Sequence, residues 1–503
     1  MLVAKPELRH TWRGFGRGEP SAVSAVVARL AESAERAAER LAERTFVEQV
    51  IAPVAGPVAE AGPLLVTCSS EVHGSIASHT IVQKNCTLHV RGNLLGSLTI
   101  EPGANVVVDG SVDGRIINKG GRLQVHNKGL AACVTVEGPS EAEAGGILKI
   151  NLTNLVANYE RLAKRTEAEC AAVVRADAYG CGIGPIAGPL AKSGCNTFFV
   201  SNLPEAKRVR AVAPQATIYV LNGFYSGSGP AFADINARPV ISSAIALAEW
   251  DVFVGAHAWE GGCALNVDTG NSGLGLSLEE ATAFAPRVQS LNHGVALLLS
   301  RLNHAATPDD SRNERQLETF RELRRVFRGI PASLADSSGI FLGSIAHFDL
   351  VRAGSALYGI NPTPSAVNPM LPVIELSARI VQVRELAASN NGAHGKNGAK
   401  RRTRLALVSL GQADGYPRPA SDSGMPLQVM IGGQRCPVAA APSIDLLPLD
   451  VTDLDPSVAR FGALVTLIGD GVPIDDLAAA SGSTGREILS RLGHRFHRIY
   501  YAT

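Results

Sequence analysis

The sequence predicts an α/β chain with a repetitive, mainly β stretch before it and a second, mainly β domain after it. Three observations predict this. From about residue 147 apolar strand-like runs alternate with helical ones; after about 373 short strands separated by turns dominate; and between 64 and 129 a motif recurs at a step of 18 residues. The chain has 503 residues, which at roughly 150 per domain suggests about three domains. Hydrophobic residues are 46% and charged residues 18%, the composition of a folded chain with material for more than one core. Lys plus Arg is 47 and Asp plus Glu is 46, a net charge of +1. Such a balance creates no global field for nucleic acid or an anionic membrane, and neither partner is expected. No window reads as a membrane span, and Met1–Pro20 lacks the apolar core of a secretory signal. The eight scattered cysteines contain no CxxC pair and read as reduced, buried thiols of a cytoplasmic protein, with no metal site.

Taken in order, residues 21–50 have no Pro or Gly and are rich in Ala, Glu, Arg and Leu, which predicts a helix. Leu30, Ala34, Ala37 and Leu41 give it a thin apolar seam, suited to packing on its own chain or to a short association arm. Next, Val72-His73-Gly74-Ser75-Ile76 aligns with Val90-Arg91-Gly92-Asn93-Leu94 and with Val108-Asp109-Gly110-Ser111-Val112. Val82…Val90, Ile100…Val108 and, one residue out of step, Ile117…Val125 lie between them. A fixed period with short strands and regular turns predicts a solenoid whose rungs bury their apolar side against one another. The pattern over 61–138 resembles the β-helical, polymer-forming domain of bactofilins; a small unrelated β-domain is the alternative.

From Ile147, helix-like 155–166 leads to Ala171–Val174, Ile186–Ser193 to Thr197–Val200, Glu205–Val212 to Ile218–Leu221, and Ala233–Arg238 to Pro239–Ile241. This rhythm predicts a parallel sheet or barrel. Val373–Val383, Arg404–Ser409, Leu427–Ile431, Pro437–Ala440, Ile444–Val451 and Leu464–Ile468 read as strands of the last domain. The tract 387–403, rich in Asn, Gly and Ala and basic at its end, reads as a solvated loop.

Val173-Val174-Arg175-Ala176-Asp177-Ala178-Tyr179-Gly180 ends a predicted strand and opens a predicted helix. It resembles the alanine racemase signature VVKADAYGHG with one change. Further matches follow in order: Val267-Asp268-Thr269-Gly270, Leu334–Gly339, Asp349–Gly359, Gln412-Ala413-Asp414-Gly415-Tyr416 and Leu467-Ile468-Gly469-Asp470. The resemblance implies a (β/α)8 barrel over 147–372 followed by a C-terminal mainly β domain over 373–503, preceded by the helical extension 1–60 and the small β-solenoid. It also implies a head-to-tail homodimer and pyridoxal 5′-phosphate at the C-terminal mouth of the barrel.

The family's racemisation uses a lysine to hold the cofactor and act as one base, and a tyrosine as the opposing base. The lysine aligns with Arg175, whose guanidinium stays protonated and is neither an amine nucleophile nor a base at neutral pH. The tyrosine aligns with Gln412, an amide that cannot cycle a proton. Arg301 aligns with a supporting histidine, Gly273 with an arginine, Asn266 with a lysine, Ile444 with a methionine, and Arg486 with a second phosphate-binding tyrosine. The family's SYG-containing loop is replaced by the tract 389–398. Retained are Tyr179, Ser337, Gly354 and Ser355, matching the phosphate donors, and Arg352, matching the arginine that faces the pyridine nitrogen. The expectation is a racemase-like pseudoenzyme, holding pyridoxal phosphate non-covalently at best, that serves as a homo-oligomeric scaffold or regulatory module. The alternatives are an isomerase with weak or altered activity and a sensor of a phosphorylated ligand.

Overall fold

The computed structural model describes residues 63–502, apart from 111–115, 119–120, 127–132, 138, 140, 258, 260, 292–293, 388–401 and 421–424. The helix expected over 21–50 and most of the tract 387–403 lie outside the described residues.

The 18-residue step is the length of one coil. Leu64–Val66, Thr80–Val82, Leu98–Ile100 and Ile116–Asn118 stack in parallel as one sheet; Ser70–Val72, Thr87–Val90, Asn105–Val108 and Arg122–His126 stack as another. Thr80 pairs with Leu98, Leu98 with Ile116 and Thr87 with Asn105, each 18 residues on. Asn105 pairs with Arg122, one residue short, where the sequence repeat slips. Val82, Leu88, Val90, Leu98, Ile100, Val106 and Val108 point inward and are fully buried. Fully burying each such side chain contributes about 1.5–3 kcal/mol. The repeating glycine has a steric cause: a Cβ at Gly92 would sit 2.5 Å from the carbonyl oxygen of Gly74, one rung below.

At the end of the stack Cys133–Glu137 pairs antiparallel with Arg122–His126 on one side and with His497–Ala502 on the other. The second solenoid sheet therefore continues into the sheet of the C-terminal domain, whereas the first sheet has an edge strand at each end, Leu64–Val66 and Ile116–Asn118, each with one strand neighbour among the described residues.

Eight parallel strands among the described residues form the barrel: Glu169–Val173, Thr197–Val200, Thr217–Val220, Ala237–Ile241, Cys263–Asn266, Val295–Leu299, Ala332–Ser333 and Leu350–Ala353. The first pairs with the last, and a bridge between Asp336 and Arg352 closes the ring. Alternate residues fill two cores. Ala171, Val173, Phe199, Tyr219, Val240, Ala264, Leu297 and Leu299 pack inside, whereas Cys170, Ala172, Phe198, Ile218, Cys263 and Leu298 pack outward under the helices. Burial on both faces explains why these strands read as unbroken apolar runs. The helices start on side-chain caps where the sequence supplies them: Asn202 accepts from the Glu205 N–H at 3.0 Å and Asp310 from the Arg312 N–H at 2.9 Å.

The C-terminal sheet differs from the sequence reading at three places. Gly146–Asn151, where that reading starts the barrel, pairs antiparallel with Ile374–Leu386 and parallel with His497–Ala502, so it lies in the C-terminal sheet. The strand expected over Pro437–Ala440 lies instead at Gln434–Pro437, paired antiparallel with Gln428–Ile431. The strand expected over Ile444–Val451 is confined to Leu447–Asp450, because Ile444 lies in a loop with its side chain 68% exposed. Helices Ile474–Ser481 and Gly485–Arg491 complete the domain. Cys68 is exposed, against expectation, while Cys86, Cys170, Cys181, Cys195, Cys263 and Cys436 are buried and free. Among the described residues no helix is long and apolar enough to cross a membrane.

Candidate functional site

A cavity of about 280 Å³ opens at the C-terminal ends of the barrel strands. Residues on or just after each of the eight strands line it, including Arg175, Phe199, Leu221, Val240, Asn266, Ser300, Ser337 and Gly354, and Arg486 reaches it from the C-terminal domain.

The segment that delivers Arg175 and Tyr179 is not the ordinary helix start expected from the sequence. Ala176, Asp177, Ala178 and Tyr179 all have φ between 53° and 55°, a left-handed turn of four non-glycine residues. Cβ clashes make that conformation cost roughly 1–2 kcal/mol per residue. The surroundings hold it in place. Glu205 Oε1 accepts the Asp177 N–H at 3.1 Å, Asp177 Oδ1 accepts the Ile183 N–H at 3.1 Å, and Arg208 donates to the same carboxylate at 2.7 Å. As a result the Arg175 guanidinium carbon lies 6.0 Å from the centre of the Tyr179 ring, at the rim of the cavity.

One end of the site is built from Ser337, Gly354 and Tyr179. Ser337 Oγ accepts the N–H groups of Gly354 at 2.8 Å and Ala356 at 3.2 Å. Both lone pairs of the hydroxyl are thereby used and its proton is free to donate. A Cβ at Gly354 would meet the Tyr179 hydroxyl at 2.8 Å, so glycine is what lets the tyrosine lie over this backbone. Ser355 lines the cavity beside them.

Arg352, in the last barrel strand, is only 6% exposed. It donates to the carbonyl and hydroxyl of Ser333 at 3.0 and 2.8 Å, to the Ser300 carbonyl at 2.5 Å and to the Leu334 carbonyl at 3.3 Å. Burial pushes its guanidinium down to about 10; Asp336 opposes this and the neighbouring charge of Arg301 adds to it. Four arginines line the cavity (Arg175, Arg301, Arg352 and Arg486) against two aspartates, Asp268 and Asp336. Both aspartates are engaged by backbone: Asp268 accepts from Gly270 at 2.8 Å and Asn271 at 2.6 Å, and Asp336 from Ser338 at 3.1 Å and Gly339 at 3.0 Å. Among the described residues the guanidiniums of Arg175, Arg301 and Arg486 make no hydrogen bond or ion pair.

Gln412 is not brought to the mouth of its own barrel. Its side chain donates to the Pro442 carbonyl at 2.5 Å and accepts from Arg418 at 2.7 Å, within the C-terminal domain. The loop carrying Ile444 packs on the same turn: the Gln412 and Ala413 N–H groups donate to the Ser443 and Ile444 carbonyls, both at 2.9 Å. Asn266 and Gly273 serve the loop between them. The Asn266 amide holds the Leu274 carbonyl at 2.7 Å, and the Gly273 N–H reaches Asp268 at 3.3 Å. Phe199, Leu221 and Asn222 also line the cavity but were not singled out in the sequence. Their signal was their place at the end of a barrel strand.

The alanine racemase N-terminal domain model matches residues 150–362 and the alanine racemase C-terminal domain model matches 373–500. The chain belongs to the alanine racemase family. The alanine racemase of Methylobacterium sp. (strain 4-46) is 46% identical over 358 residues, 71% of this chain and 98% of the relative. The biosynthetic alanine racemase of Agrobacterium fabrum is 40% identical over 364 residues, 70% of this chain and 93% of the relative. The crystal structure of alanine racemase from Bartonella henselae with covalently bound pyridoxal phosphate superposes with a TM-score of 0.66 at 33% identity, covering 71% of this chain and 99% of that one. Both family models begin after the solenoid, which lies outside their match.

The mouth fits part of the family cofactor. The free Ser337 hydroxyl proton, the Tyr179 hydroxyl and the nearby guanidiniums suit its phosphate. The rest does not fit covalent attachment: among the described residues lining the cavity there is no lysine, and Arg175 occupies the rim.

Proposed function

We propose that this alanine racemase family member is a non-catalytic scaffold or regulatory module. One observation carries the reading: among the described residues the cavity lining offers the guanidinium of Arg175 and no lysine amine. A guanidinium held protonated can neither attach an aldehyde cofactor nor act as a base near pH 7. On this reading any pyridoxal phosphate is held non-covalently, Gln412 is no base, and Tyr179, Ser337, Arg352, Gly354 and Ser355 form a binding cradle. The domains are 1–60, 61–138, 147–372 and 373–503. The middle two are a bactofilin-like assembly unit and a barrel that forms a homodimer with the last domain, in the cytoplasm. Support for assembly is the first rung of the solenoid, whose strands Leu64–Val66 and Ser70–Val72 each have one neighbour only among the described residues. Unpaired strand edges template pairing with another chain. The full chain is expected to sediment as species larger than a dimer; a dimer at every concentration would remove the assembly unit from the reading.

A second reading, a racemase of weak or altered activity, is favoured by the 46% identity to a protein named alanine racemase. One experiment separates the two. The full chain is incubated with pyridoxal phosphate, reduced with borohydride and mapped by mass spectrometry, beside an alanine racemisation assay. No pyridoxyl adduct on a mouth residue and no turnover above a heat-killed control are expected. Arg175→Lys should gain the adduct with little turnover, and adding Gln412→Tyr should raise turnover further. A stoichiometric adduct or turnover in the unmutated chain would overturn the proposal.

A further inference from the structure

We infer that the mouth holds a second anion subsite, formed by Arg301 with Arg352 on the same cavity wall, and that the cavity takes a small metabolite carrying both a phosphate and a carboxylate. The inference deepens the regulatory reading and rests on it, since it needs a mouth free of covalent cofactor.

Two separate groups of donors line the cavity. The first is the Tyr179–Ser337–Gly354 end already described, with the Arg175 guanidinium 6.0 Å from the Tyr179 ring. The second lies where Ser300 and Arg301 follow the sixth barrel strand. There Arg352 is bound to the Ser300 carbonyl at 2.5 Å, and the charge of Arg301, the residue after Ser300, acts on the Arg352 guanidinium. Arg352 has both terminal nitrogens committed to carbonyls and the Ser333 hydroxyl, so it contributes field rather than free donors. Arg301 is the opposite: its guanidinium is exposed, lines the cavity and has no protein partner among the described residues.

Two guanidiniums lining one cavity, one of them buried against the residue preceding the other, are stabilised by an anion placed beside them. The protein supplies little of that counter-charge. Asp336 attracts Arg352 but shares one oxygen with the Ser338 and Gly339 N–H groups, and Asp268 organises its own loop. A guanidinium presents parallel N–H donors that match a planar carboxylate. The cavity of about 280 Å³ lies at the lower edge of ligand pockets, which limits the occupant to a few carbons between its two charges.

The test uses the full chain without pyridoxal phosphate and three probes in titration calorimetry: inorganic phosphate, ethyl phosphate and phosphoglycolate. The last two share a two-carbon skeleton and differ by the carboxylate. Phosphoglycolate should bind at least about tenfold tighter than ethyl phosphate, the size of one charge-assisted contact. Arg301→Gln should erase that margin and leave ethyl phosphate unchanged, Arg301→Lys should keep part of it, and Arg175→Gln should weaken all three probes. Melting curves of the variants check that each is folded. Equal affinity for the matched pair, a parallel loss of both in Arg301→Gln, or no binding of any probe would overturn the subsite. A pyridoxyl adduct found by mass would instead overturn the reading beneath it, so the two failures are distinguishable.

Discussion

The solenoid and the barrel are both built from parallel strands, yet they use them in different ways. In the solenoid most strands meet their own repeat 18 residues later, inward side chains stack on their equivalents, and no described side chain of the rungs lines the cavity at the barrel mouth. In the barrel each strand meets a different neighbour, and the ring brings eight unrelated strand ends around one opening. Repetition gives a surface that can be extended; closure gives a site. The solenoid joins not the barrel but the C-terminal sheet, through Cys133–Glu137, a strand paired with the last rung on one side and His497–Ala502 on the other.

That comparison is open to attack from both sides. The largest effect is expected from Phe199→Ala. Phe199 is fully buried inside the barrel, stacks on Tyr219 at 5.0 Å and lies 5.9 Å below the Arg352 guanidinium. Its truncation should cost about 3–5 kcal/mol in denaturant unfolding and speed hydrogen exchange at Leu350–Ala353, because barrel core and mouth are one unit. Unchanged exchange there would divide them.

Leu98→Ala removes a fully buried solenoid side chain and should cost about 2–5 kcal/mol. Faster exchange should stay within residues 64–126. If it reached the barrel strands through His497–Ala502, the shared sheet would make the two regions one cooperative block, and the contrast would fail.

The smallest effect is electrostatic. Arg312, donating its guanidinium and backbone N–H to Asp310, holds that carboxyl well below the usual carboxylate range. A lowered native value contributes stability above the unfolded value, about pH 4, and that stability is lost as pH falls from there through the native value. Asp310 caps the barrel helix Ser311–Val326, so acid should loosen this helix and Asp310→Asn should blunt the response. Exchange of 311–326 measured between about pH 5 and pH 3 checks it; a helix indifferent to acid in the unmutated chain would show that the cap carries no pH dependence.

Much of this was legible along the chain. The coil length was written in the spacing of Gly74, Gly92 and Gly110, because a Cβ at Gly92 or Gly110 would strike the backbone of the glycine one rung below. The strand–helix alternation and the motif at 173–180 marked the barrel and its mouth, since a side chain at the end of a parallel strand has nowhere else to point. Arg175 and Gln412 could be read as chemically unsuited to proton transfer from residue type alone.

What needed the tertiary structure was everything that depends on distant parts of the chain meeting. The sequence assigned Gly146–Asn151 to the barrel, and its apolar pattern could not say otherwise; only pairing with Ile374–Leu386 and His497–Ala502 places it in the other sheet. The left-handed turn at Ala176–Tyr179 contradicts local preference and is held by Glu205 and Arg208, on the helix Leu203–Val212 that follows the next barrel strand. The separation of Gln412 from the cavity, and the charge of Arg301 acting on a buried Arg352, are likewise facts of proximity. Residue type fixes what a group can do, and local pattern fixes which element carries it. Burial and partners come from contacts hundreds of residues apart, and these decide whether that chemistry is available.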